Sequence, residues 1–180
     1  RVLGGLLSAH LLITDKRLMF GPEIRPPWYN NELILMAKDL AERLLPALET
    51  STTGLPYPRV HLREGVPNST LCHWCKTETC PAGAGSLLLE FGILSRLTGD
   101  FRFEIAAKRA INTLWAIRAK TGLFGNSIDV ESGEWLGEIS GIGAGIDSFY
   151  EYLLKSWIYF GERTYWEMFK ESYDKIKTFN

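Results

Sequence analysis

The sequence has no run of about eighteen apolar residues, the least that carries a helix across a bilayer, so no transmembrane segment is expected within it. It also lacks an excess of either charge: 20 Lys and Arg stand against 21 Asp and Glu, for a net charge of −1. A nucleic-acid or anionic-membrane partner calls for a basic excess, so those classes are set aside. No phosphate-cradling glycine loop, no Gly-x-Ser-x-Gly elbow and no zincin motif is present. Histidine is scarce; His10 and His61 have no partner at metal-ligand spacing and read as a core and a loop residue. Cysteine is confined to Cys72, Cys75 and Cys80. The Cys72-x2-Cys75 spacing suggests zinc or thiol exchange. However, a closed zinc site takes four ligands, His73 abuts Cys72, and no strand-to-helix context surrounds the pair. A disulfide, within the loop or to sequence elsewhere, is the expectation for these three cysteines. Asn68-Ser69-Thr70 just before them is a glycosylation acceptor triplet, compatible with a secretory-pathway address.

What is abundant is apolar and aromatic: 46% apolar residues, with six Trp and seven Tyr. Six helical patterns follow one another. The first runs from the start to about Ile13 and contains Gly4-Gly5, which permits close packing. The second, about Asn31 to Leu48, carries one stripe of Leu33, Ala37, Leu40, Ala41, Leu44, Leu45 and Leu48. The third, about Gly85 to Thr98, is apolar on most faces. The fourth, about Phe101 to Arg118, returns to one stripe. A hairpin is predicted around Ile128, Val130, Gly133 and Trp135. The fifth helix begins near Asp147 and is apolar nearly all round, which predicts burial. The sixth, from about Arg163, is one-sided. Buried and amphipathic helices therefore alternate. Thr53-Gly54-Leu55 and Thr121-Gly122-Leu123 recur 68 residues apart. Helix pairs repeating at this interval stack into an array or close into a ring, with the buried members inside. The expected fold class is all-α, three helix pairs of an α/α toroid with a small β-hairpin. No cap precedes the first pattern and no stop signal follows the last, so residues 1–180 read as the N-terminal portion of one larger domain.

The stretch Gly141 to Lys155 concentrates the candidate chemistry. Alternating glycines allow close approach of the backbone and lead directly into the fifth helix, where Asp147 and Glu151 sit one turn apart. Carboxylates at the mouth of a buried helix are costly unless paired, metal-bound or chemically employed. Asp147 reads either as an N-cap or as a catalytic or ligand-binding acid. Glu151, and Glu90 in the matching inner helix, read as partners of buried donors or as site residues. Arg1 is an inner-helix cation suited to sugar hydroxyls or to an ion pair.

Several motifs, in order along the chain, carry a resemblance: Arg1-Val2-Leu3-Gly4-Gly5-Leu6-Leu7-Ser8-Ala9-His10, Arg43-Leu44-Leu45-Pro46-Ala47, Thr53-Gly54-Leu55-Pro56-Tyr57 and Gly141 through Leu153. Together they resemble family 47 of the glycoside hydrolases, the class I α-1,2-mannosidases. Thr79 to Gly85 and the Gly-Ala-Gly-Ile-Asp form resemble its ER degradation-enhancing α-mannosidase-like branch. The resemblance implies an (α/α)7 barrel, an ER-lumen location, bound Ca2+ and inverting hydrolysis of α-1,2-linked mannose from high-mannose N-glycans of misfolded glycoproteins. Inversion uses two carboxyl groups about 6.5–9.5 Å apart with a water between. By the same resemblance Asp147 is a catalytic acid and Arg1 binds substrate; Glu151, one turn beyond Asp147, is read from its position as a substrate-binding residue beside them. A further acid precedes Arg1, and the remaining glutamate and the calcium threonine belong to the C-terminal half, so these residues alone are expected to be inactive. Cys80 matches a branch cysteine that joins disulfide-linked partners, implying a thiol oxidoreductase. Gly145 and Gly83 stand where processing mannosidases carry arginine and glutamate, which implies a looser substrate preference. The Leu71-Cys75 insertion departs from the pattern. A glycan-binding adaptor that delivers clients without hydrolysis is the alternative, and a structural helical-array module with no sugar site a third reading.

Overall fold

The computed structural model describes residues 1–15, 17, 24–66 and 77–179. Within them lie α1 (Val2–Ile13), α2 (Glu32–Leu44), α3 (Pro46–Glu49), β1 (Glu78–Thr79), α4 (Pro81–Gly85), α5 (Leu88–Thr98), α6 (Arg102–Ala116), β2 (Ser127–Asp129), β3 (Trp135–Gly137), α7 (Asp147–Phe160) and α8 (Arg163–Phe179). The six sequence patterns survive as three helical hairpins: α1 on α2, α5 on α6 and α7 on α8. In the latter two, the inner helix ends at a glycine in the left-handed conformation, Gly99 (φ 75°) or Gly161 (φ 75°), where a side chain would be strained. The inner helices touch in sequence, α1 against α5 and α5 against α7. The hairpins share one chain direction, so the heads of α1, α5 and α7 share one end of the wall.

Apolar spacing explains the outer layer. Ala37, Ala41, Leu45 and Leu48 are buried in the second pattern, and Phe103, Ala106, Ala107, Ala110, Ile111 and Leu114 in the fourth. The second pattern is not one helix, however. Pro46 has no N–H to donate, so the chain restarts at α3 with proline at its first position. The third pattern begins later than read, at Leu88; Gly85 instead closes a separate short helix, α4, with Ser86-Leu87 between the two. Two inner contacts require glycine. A Cβ on Gly85 would lie 2.2 Å from Phe149 Cδ2, and one on Gly92 would lie 2.7 Å from Phe160 Cζ. Phe103, Phe124 and Phe149 are fully buried, each contributing about 1.5–3 kcal/mol by removal from water.

The expectation that α7 is buried all round is corrected. Phe149, Tyr150, Leu153 and Ser156 are buried. Asp147, Glu151, Lys155, Ile158 and Tyr159 face solvent, with Ile158 68% exposed. The apolar residues of α7 therefore cover two faces, one packed on the wall and one turned away from it.

The expected hairpin is present as β2–β3 but belongs to a three-stranded antiparallel sheet in the order β1-β2-β3. Glu78 pairs with Asp129, and Ile128 with both Thr79 and Trp135. A two-residue strand has no periodicity to reveal it in advance. The turn after β2 is tied to the loop that follows α3. Thr53 Oγ1 donates to the Val130 carbonyl at 2.6 Å, and the Tyr57 hydroxyl donates to Glu131; burial of the phenol first, and then that bond and its negative charge, push Tyr57 up to about 12.

The internal repeat has a physical basis. Gly54 (φ 82°) and Gly122 (φ 84°) are both left-handed, and each lies under a long cation from the following outer helix. A Cβ on Gly54 would fall 2.2 Å from Arg109 Nε, and one on Gly122 would fall 2.9 Å from Lys175 Cγ. Arg109 also donates to the Thr52 carbonyl at 3.1 Å. Each loop is thus clamped by the hairpin after it.

Candidate functional site at the head of the inner helices

The heads of α1, α5 and α7 bring together Arg1, Glu90, Glu151 and Tyr152. The phenol of Tyr152 is held well above its ordinary range, by burial first, then by the negative charges of Glu90 and Glu151, while Arg1 opposes the shift. Each of those groups is therefore within electrostatic reach of the Tyr152 phenol. Asp147 lies one turn before Glu151 on the same solvent-facing stripe of α7.

Asp147 is not the N-cap. Ile146 occupies that position without a side-chain bond, and Asp147 is the first helical residue. Its Oδ1 accepts the Ser148 N–H at 2.7 Å and lies 3.4 Å from the Ser148 hydroxyl. A carboxylate in the first turn is favoured by the free N–H groups there, so its placement costs little. It is exposed and carries no ion pair among the described residues. The premise that these acids are buried and in need of compensation is accordingly corrected. Glu151 is also exposed, with only Lys155 Nζ nearby at 3.9 Å. Arg1 is exposed, and its guanidinium makes no hydrogen bond or ion pair among the described residues.

The more buried carboxylates are others. Glu90 Oε1 accepts the Tyr152 hydroxyl at 2.9 Å, while its Oε2 is buried with no partner among the described residues. Gly4 on α1 faces the same group: a Cβ there would lie 3.4 Å from Glu90 Oε1. A Cβ on Gly5, by contrast, would meet nothing within 4 Å, so only Gly4 owes its missing side chain to packing. Glu104 is 6% exposed and was not singled out by the sequence pattern; Lys108 Nζ at 2.9 Å and Arg96 at 3.4 Å compensate it. Tyr152 was hidden in an apolar run, and only its hydroxyl could have marked it.

A Cβ on Gly141 or Gly143 would meet nothing within 4 Å, but Gly145 (φ 92°) lies in the left-handed region, close to the Asn126 carbonyl. Its carbonyl accepts the Ala82 N–H at 2.8 Å, which pins α4 to the head of α7. Gly83 and Gly145 are thereby neighbours, with Cys80 between them. A side chain at Gly83 meets only ordinary contacts at 3.5 Å, whereas one at Gly145 is strained by its backbone. Cys80 is a partly exposed free thiol whose Sγ accepts the Gly83 N–H at 3.4 Å. Cys72, His73, Cys75 and the sequon at Asn68 lie outside the described residues. His10 is buried with Nδ1 2.7 Å from the Tyr29 hydroxyl, and His61 is in a loop where its Nδ1 accepts the Glu64 N–H at 3.1 Å. Among the described residues no group of three or more His, Cys, Asp or Glu is placed to hold a cation. The Ca2+ implied by the resemblance therefore has no ligand cluster among these side chains. No described helix is long and apolar enough to cross a membrane.

An arc of a two-layer helical wall, with exposed acids and a guanidinium at the head of its inner layer, defines an α/α-toroid protein. The chain belongs to glycosyl hydrolase family 47, whose model matches residues 1–180. It is 53% identical over 175 residues to "Alpha-mannosidase I MNS5" of Arabidopsis thaliana, covering 96% of this chain and 28% of that protein. It is 45% identical over 177 residues to "ER degradation-enhancing alpha-mannosidase-like protein 1" of Schizosaccharomyces pombe, covering 98% of this chain and 21% of that one. Among solved structures it superposes on the α-1,2-mannosidase from Trichoderma reesei with a TM-score of 0.79 at 28% identity, over 97% of this chain and 35% of that one. The chain thus spans between about a fifth and a third of these relatives.

Proposed function

We propose that the protein bearing these residues is an α-1,2-mannosidase that trims high-mannose N-glycans of misfolded glycoproteins in the ER lumen and so commits them to degradation. The observation that carries this reading is Asp147: an exposed carboxyl at the head of an inner helix, on the end that also presents Arg1 and Glu151. Asp147 is the catalytic acid of an inverting pair whose second carboxyl is not among the residues described. Arg1 binds sugar hydroxyls through its unpaired guanidinium, and Glu151 accepts from them on the same stripe. Ca2+ belongs to this reading through the family alone, and no step here is routed through it. Cys80, partly exposed beside the two glycines, is the group through which a thiol oxidoreductase would attach.

The test is release of mannose from a nine-mannose glycan by the full-length protein in Ca2+-containing, redox-controlled buffer. Asp147→Asn should reduce release at least about a hundredfold while leaving glycan binding within a few-fold, because removing an acid that acts in the transition state spares ground-state binding. Binding without any release by the parent would replace hydrolysis with the adaptor reading. Trimming by the Asn variant at the parental rate would remove Asp147 from the chemistry.

A further inference from the structure

Among the described residues, one side-chain hydrogen bond joins two inner helices: Tyr152 of α7 donates to Glu90 of α5 at 2.9 Å. The acceptor also reaches the third inner helix, since Gly4 of α1 leaves room for the carboxylate where a methyl would come within 3.4 Å of it. One carboxylate therefore sits at the junction of all three inner heads. Its second oxygen is buried with no partner among the described residues, an arrangement that costs free energy and that packing alone does not require. Tyr152 is five residues beyond Asp147 and next to Glu151, so a bond fixing its ring also fixes the rotation of the first turns of α7 about their axis.

The geometry points to Tyr152 as a positioning residue: through Glu90 it sets α7 against α5 and α1 so that Asp147 meets the substrate held by Arg1. The inference rests on the hydrolase reading above. Neither Tyr152 nor Glu90 touches the reacting atoms in this scheme. Misplacing a reacting group by about 1 Å can cost roughly a hundredfold in rate without weakening ground-state binding. Losing the bond should therefore lower kcat and spare KM.

The test is a double-mutant cycle in the full-length protein, with kcat and KM for mannose release measured well below the unfolding temperature of every variant. Tyr152→Phe and Glu90→Leu should each lower kcat about tenfold with KM within about twofold, and the double variant should fall no further than either single, because the two act as one unit. Glu90→Gln keeps an acceptor for the phenol and should stay within about threefold of the parent. A purely structural role would lower the melting temperature and leave kcat of the folded protein unchanged, and that result overturns the inference. So does a double variant showing the full product of the two single losses. A parent that releases no mannose, whether or not it binds glycan, removes the hydrolase reading and the positioning role with it. That failure appears in the parent's own trace, whereas failure of the positioning role alone leaves the parent active.

Discussion

Glu104 illustrates how charge is tolerated inside this wall. Burial alone would raise its carboxyl, yet hydrogen bonds from Lys108 and Arg96 hold it below the ordinary value of 4.5. Lys108 in turn bridges to Glu162 at 2.7 Å, so α5, α6 and the start of α8 meet in one network at the end of the wall away from Asp147. Removing the lysine leaves a buried anion half-compensated, and such losses run to several kcal/mol. With Lys108 about a third exposed, Lys108→Met should cost about 2 kcal/mol at pH 7, measured by urea unfolding. The pH dependence follows from the sign of the shift. A carboxyl depressed on folding contributes stability that is fully present above its unfolded value, near 4.5, and lost as pH falls through the lower folded value. Parent and Lys108→Met should therefore converge in urea midpoint as pH drops below that point, and a constant gap across the range would exclude the network as the cause.

At the scale of elements, the close contacts are set by residues with no side chain. Gly85→Ala would drive a methyl to 2.2 Å from the fully buried Phe149, the ring that seats α4 against α7. Overpacking of this kind costs about 1–3 kcal/mol, and a fall in melting temperature of several degrees should accompany it. Solvent-facing Gly99→Ala meets nothing within 4 Å and isolates the separate cost of a left-handed backbone. The helices themselves were legible in the sequence because apolar spacing is a local property: the stripes of Ala37, Ala41 and Leu45, and of Phe103, Ala107 and Leu114, are buried as read. The helix break at Pro46 and the short separate helix ahead of Ser86 were less legible, since apolar residues continue across both positions. The site was legible only as residues. Asp147, Glu151 and Arg1 could be named, but their exposure could not, because an apolar residue facing away from the wall looks the same in sequence as one facing into it. The Tyr152–Glu90 bond joins residues 62 apart and left no local trace.

At the scale of the molecule, the arc has an apolar outer margin. Ile158 and Tyr159 on α7 and Tyr173 on α8 are all more than half exposed, and Trp157, Trp166 and Phe169 form a ring-to-ring series beside them, with centroids 4.6 and 6.0 Å apart. Apolar surface on this scale seeks a cover. The 180 residues expressed alone should bind a hydrophobic dye and associate in a concentration-dependent manner, as sedimentation velocity would reveal; a dye-silent monomer at high concentration would contradict the exposure described.

The cations lying over Gly54 and Gly122 reach back by one hairpin and no more. A wall held this way behaves like masonry: every block is cut to its neighbour, and the bend of the whole is the sum of small wedge angles at the joints. Trimming one such side chain would not loosen a distant course of the arch. It would alter a single joint, and whatever lies across the opening would feel the change only as a shift in where the two sides meet.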